Sequence, residues 1–65
     1  MTLQEIKNYF DVAGGKNKVK TSDMVWTLLI RAYNDDAENK SKRRRLSGSC
    51  GSCRSTAYKW LIEKI

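Results

Sequence analysis

Three groups of residues in this 65-residue chain have types and spacings that could do chemistry. The first is Cys50-Gly51-Ser52-Cys53. Two thiolates at this spacing make half of a tetrahedral zinc site, or a redox dithiol with Cys53 activated at a helix N-terminus. The chain has no histidine and no second cysteine pair, so a zinc site needs Cys50 and Cys53 from two subunits. Within one chain, the pair reads as two small thiols lining a turn. The second group is the run Lys40, Lys42, Arg43, Arg44 and Arg45. Clustered cations beside a helix N-terminus are what phosphate neutralisation requires, because each contact releases condensed counterions. The competing readings of the run are a solvated, self-repelling linker or, in a eukaryotic protein, a nuclear-localisation patch. The third group is Asp35, Asp36 and Glu38, which lie on a polar stretch where burial has little opportunity to tune a carboxylate.

Catalytic constellations fare poorly. Without histidine there is no Ser/His/Asp-type relay, and Gly48-x-x-Gly51 lacks the Lys-Ser/Thr that follows a phosphate-cradling glycine loop. The chain reads as a non-enzyme with no cofactor, zinc being admitted only if shared between subunits.

Charge sharpens the second candidate. Residues 1–39 carry five basic and six acidic side chains, and residues 40–65 carry eight basic side chains against Glu63 alone. A near-neutral half is thus joined to a half of net charge +7, within a total of +6. Such asymmetry points to a polyanionic partner.

The elements that must position these groups follow from hydrophobic spacing. Thr2-Leu3-Gln4-Glu5 fits a capping box, and Leu3, Ile6, Phe10 and Ala13 recur at helical intervals. A first helix is expected over 3–12, ending at Gly14-Gly15, where a left-handed cap is cheap. Residues 15–21 read as a loop whose three lysines offer at most a secondary anion contact. A second helix is expected over 22–34, capped by Thr21 or Ser22. Its polar stripe is only Asp23, Thr27, Arg31 and Asn34, so its apolar arc, with Trp26, Ile30 and Tyr33, marks it as central. Residues 36–46 offer Ala37 as the only apolar group before Leu46. They form a basic connector, able to be helical, supported by Asp36/Lys40 and Glu38/Lys42 pairs, and residues 38–49 as a whole are the basic link within one domain. A third helix is expected over 52–64, capped by Ser52. Ala57, Tyr58, Leu61, Ile62 and Ile65 fall on one face of it, and Ser55, Thr56, Lys59 and Glu63 on the other. The expected fold is a small all-α, three-helix domain with Phe10, Trp26, Leu29 and Leu61 in its core.

The stretch Gly51-Ser52-Cys53-Arg54-Ser55-Thr56-Ala57-Tyr58-Lys59-Trp60-Leu61 resembles the turn and recognition helix of helix-turn-helix modules in resolvases, transposases and related regulators. The resemblance covers about a dozen residues. It implies that Arg54, Ser55 and Thr56 face base edges or phosphates, that Tyr58 and Lys59 meet the groove wall, and that Ala57 and Leu61 pack inward. The helix that should precede the turn is poorly supplied by Arg44 to Cys50, so the second helix would have to serve across a long connection.

These readings converge on a small nucleic-acid-binding protein, with DNA favoured over RNA, contacted by Lys40 to Arg45 and the start of the third helix. The alternative is a small phage-type or accessory assembly protein that oligomerises or binds an acidic protein surface, using the apolar arc of the second helix. No apolar run approaches the roughly 20 residues of a membrane span, and no secretory leader is evident, so an intracellular setting is expected: cytoplasm or nucleoid, or nucleus in a eukaryote.

Overall fold

The computed structural model describes residues 1–48 and 50–65, so Ser49 of the expected connector lies outside the described residues. The chain is 70% helical and, among the described residues, has no strand. Among the described residues four α-helices follow one another: α1 (Leu3–Ala13), α2 (Met24–Asp35), α3 (Ala37–Ser41) and α4 (Gly51–Lys64), with a 3₁₀ turn at Lys16–Lys18. The small all-α domain expected from hydrophobic spacing is present, with the short α3 inside the connector.

Local chemistry sets where each helix begins and ends. Thr2 and Glu5 form the capping box: Glu5 N–H donates to Thr2 Oγ1 at 3.2 Å and Thr2 N–H donates to Glu5 Oε1 at 2.9 Å. Gly14 ends α1 at φ 99°, with Gly15 N–H reaching back to the Phe10 carbonyl at 2.8 Å. This is the left-handed close that glycine makes without a Cβ penalty. The cap of α2 is Asp23, whose Oδ1 accepts from Val25 N–H at 2.9 Å, rather than Thr21 or Ser22. A carboxylate at the positive end of a helix adds a dipole interaction to the hydrogen bond, which decides among three adjacent candidates.

The core lies where α1, α2 and α4 meet. Ile6, Phe10, Leu29 and Leu61 are essentially inaccessible, with Val19, Val25, Trp26, Ile30 and Ala57 around them. Phe10 holds the centre, with edge-to-face contacts to Trp26 at 4.8 Å and Tyr58 at 5.1 Å between ring centroids. Trp60 makes a similar contact with Tyr33 at 5.3 Å, closing the other end of the α2–α4 interface. Most of the apolar arc of α2 is consequently covered by its own chain: Trp26, Ile30 and Tyr33, the residues expected to form a partner surface, are buried, and Met24 is exposed. In α4, Ala57 and Leu61 face inward as expected, but Ile62 and Ile65 are exposed. Trp60 takes part of their place because its ring reaches Tyr33.

Two asparagines tie the connector to α2. Asn34 uses both ends of its amide on Leu46, donating to the carbonyl at 3.0 Å and accepting from the N–H at 2.8 Å. Asn39, only 2% exposed, donates from Nδ2 to the Tyr33 carbonyl at 3.0 Å. It thereby gives a second donor to a carbonyl at the end of α2 that also accepts from Asp36 N–H at 3.3 Å. Of the two expected ion pairs, Glu38–Lys42 forms at 3.1 Å. The Asp36 carboxylate instead caps α3, accepting from Asn39 N–H at 3.1 Å.

Candidate nucleic-acid interface

The basic run sits on and just beyond α3. Lys40 lies on α3, and Lys42, Arg43, Arg44 and Arg45 follow it, all exposed. The chain reverses at Arg43, whose φ of 56° lies in the left-handed region. Arg43 N–H donates to the Lys40 carbonyl at 3.1 Å and Arg44 N–H to the Asn39 carbonyl at 2.8 Å. α3 thus ends with the same hydrogen-bond pattern as α1, but with arginine in the position that glycine holds at residue 14.

The cap of helix α4 lies two residues earlier than its polar residues imply. Its cap is Cys50, whose Sγ accepts from Cys53 N–H at 3.3 Å, so Ser52 is not the cap and Gly51 is already helical. Ser52 Oγ lies 3.2 Å from Cys50 Sγ. A hydrogen bond from the Cys53 thiol, then one from the Ser52 side chain, then the Cys53 backbone N–H draw Cys50 down to about 7. Cys53, donating to Cys50, is pushed above the ordinary thiol range. Both cysteines are half-buried and unoxidised. Among the described residues, no three His, Cys, Asp or Glu side chains gather as a metal site would need.

Along α4, Ser55, Thr56 and Lys59 are exposed on one face. Thr56 Oγ1 donates back to the Ser52 carbonyl at 3.1 Å. Tyr58 is turned toward the core against Phe10, so its ring is largely committed to packing. Arg54 is half-buried, its Nε has no hydrogen-bond partner, and its Nη1 lies 4.0 Å from where a Cβ on Gly51 would stand. The guanidinium is therefore folded back over the first turn of its own helix.

Two cations join this surface: Arg31, which sequence reasoning left aside, and Lys16, which it offered only as a secondary anion contact. Lys16, in the loop, extends its Nζ to within 3.3 Å of Ser55 Oγ and 5.8 Å of the Tyr58 ring centre. It lines a pocket of about 230 Å³ with Asn17, Thr21, Gly51, Arg54 and Ser55. Arg31, on the polar stripe of α2, lines an open groove of about 810 Å³ with Arg45, Asn34 and Asp35. The Asn34–Leu46 tether brings the connector back across α2 to make that groove. Neither position carries a local sequence signal, because both depend on how the connector and loop fold back.

The electrostatics of the surface come from how the carboxylates are used. Glu5 and Asp36 accept from backbone N–H groups. Asp23 caps α2 and accepts from the Tyr9 hydroxyl at 2.7 Å. Asp11 pairs with Lys7, and Glu38 pairs with Lys42. Five of the seven acids are therefore engaged within their own neighbourhood. Among the described residues Lys40, Arg43, Arg44, Arg45, Arg54 and Lys59 have no carboxylate partner. No family model, curated protein or solved structure matches this chain.

Proposed function

We propose that this chain is a small, non-catalytic nucleic-acid-binding protein that contacts the phosphates of a duplex, DNA rather than RNA, through Lys40 to Arg45 and the first turns of α4. The observation that carries the reading is the exposed basic run, in which only Lys42 has a carboxylate partner among the described residues, next to a helix whose outward face is Ser55, Thr56 and Lys59. An anionic ligand is the natural complement of such a surface, and a regularly spaced phosphate backbone meets several cations together. The positive end of α4 and the Arg54 guanidinium favour the same sign of ligand. The connection from Asp36 to Cys50 is long and contains α3, so α4 supplies phosphate contacts together with the connector rather than as half of a tight two-helix unit. An intracellular setting accompanies this reading.

The test is a salt titration of binding to a random-sequence duplex, for wild type and for the combined Arg43→Ala, Arg44→Ala, Arg45→Ala variant. Affinity should fall linearly on a log–log plot, and the variant should lose about 2–3 units of slope, near 0.9 for each phosphate contact removed. Absence of binding at roughly 50–100 mM salt, or binding without salt dependence, refutes the proposal.

A second reading, an assembly module, rests on a different surface. Met1 and Val12 are 64% and 89% exposed, and with Tyr9 they give the outer side of α1 an apolar character. Sedimentation separates the two: an oligomer that persists on dilution supports assembly, and a monomer removes it.

A further inference from the structure

We propose that Cys50 and Cys53 form a thiol–disulfide exchange site, with Cys50 as the attacking thiol and Cys53 as the resolving one, and low-molecular-weight disulfides as the substrate class. The geometry carries this independently of nucleic-acid binding. Cys50 Sγ occupies the N-cap of a fourteen-residue helix, at the positive end of the helix dipole. It receives the Cys53 backbone N–H at 3.3 Å and lies 3.2 Å from the Ser52 hydroxyl. Every one of these groups can donate, and a donor-rich surrounding stabilises a thiolate over a thiol. An N-cap is ordinarily an oxygen. A sulfur there, with two serines, two glycines and a second cysteine nearby in sequence, places a polarised nucleophile where a structural cap would suffice.

The reaction balances as follows. The Cys50 thiolate attacks one sulfur of a disulfide R–S–S–R, the S–S bond breaks, and one RS⁻ leaves with the bonding pair and takes a proton from solvent. Cys53 then loses its proton to solvent and attacks Cys50 Sγ, expelling the second RS⁻, which is protonated in turn. The protein dithiol is oxidised by two electrons and R–S–S–R is reduced to two RSH. Cys53 is suited to the second step because it lies in the same first turn of α4, its backbone N–H on Cys50 Sγ at 3.3 Å. It is suited poorly to the first, since donation to Cys50 keeps it protonated.

Glutathione disulfide is the probe. Reduced protein is mixed with it, samples are quenched in acid, and intact mass and the site of modification are followed. Wild type should end as a species lighter by two hydrogens. Cys53→Ser should stop at a single adduct on Cys50. Cys50→Ser should form its adduct at Cys53 at least about threefold more slowly near pH 7, after allowing for the lower intrinsic nucleophilicity of an acidic thiol. The wild-type rate should rise with a midpoint of about 7. Accumulation of an unresolved adduct in wild type, or first attack at Cys53, overturns the assignment. Peptide mapping of the first wild-type adduct decides this even if a serine variant fails to fold. Because no nucleic acid is present, loss of duplex binding and loss of exchange are separate results.

Discussion

The two halves of this chain use charge in opposite directions. Before residue 40, the carboxylates point back at the protein. Glu5, Asp23 and Asp36 each hold a backbone N–H, Asp11 holds Lys7 and Glu38 holds Lys42. After residue 40, five of the six basic residues singled out as candidate contacts have no acidic partner among the described residues, Lys42 being the exception. The difference teaches that net charge is a poor guide to where a field acts. A total of +6 spread evenly would only keep the chain dispersed. Here the acids are drawn into caps and pairs, so the cations of the second half are left facing outward.

The comparison can be broken or sharpened in three ways. The largest effect should come from the residue that docks one half onto the other. Leu61 is fully buried against the core built by α1 and α2, and Leu61→Ala should cost about 2–5 kcal/mol in urea unfolding. A small domain has little stability to spare, so this variant should be largely unfolded near 37 °C. A middle-sized contrast sets an acid against a cation. Asp23→Ala removes the α2 cap and the acceptor of Tyr9, and should cost about 1 kcal/mol or more. Arg44→Ala, at an exposed position, should stay within about 0.5 kcal/mol while weakening duplex binding. If both substitutions destabilise alike, the division between inward acids and outward cations is wrong.

The smallest effect is on pH. The backbone N–H of Thr2 holds Glu5, the Tyr9 hydroxyl holds Asp23, and Lys42 holds Glu38, each below its ordinary value. Groups lowered in the folded state contribute stability above the ordinary carboxylate range near 4, and lose it as pH falls through the folded values. Thermal midpoints should therefore be flat from about pH 6 to 5, decline below about 4, and rise separately above about 7, where Cys50 ionises first in the folded chain. The arginines of the basic run have no such partner to lose. Duplex affinity per folded molecule should stay level between about pH 5 and 8, where guanidinium remains charged.

The core and the helices were legible because apolar spacing reports burial directly. Phe10, Trp26, Leu29 and Leu61 sit where periodicity places them. Caps were less legible wherever polar residues crowd together. Thr21, Ser22 and Asp23 all have suitable side chains, as do Cys50 and Ser52, and the winner depends on backbone geometry a residue or two away. Least legible was Asn39, a polar residue in a run without apolar rhythm that is nonetheless almost completely buried. Its burial goes with its bond to the Tyr33 carbonyl, a feature of the fold and not of the local sequence. Lys16 and Arg31 reach the candidate surface for similar reasons.

Arg43 gives that surface a history that can be weighed. Its backbone is left-handed, a conformation in which a β-carbon is crowded and glycine is at ease, as Gly14 shows at the end of α1. After allowance for the greater freedom of glycine in the unfolded chain, Arg43→Gly should make the domain more stable by roughly 0.5–1 kcal/mol. The same replacement would remove one phosphate contact on the proposed reading. Selection for folding alone would favour glycine at this corner, so on the proposed reading a charged side chain there is a compromise between a sturdier molecule and a stickier one.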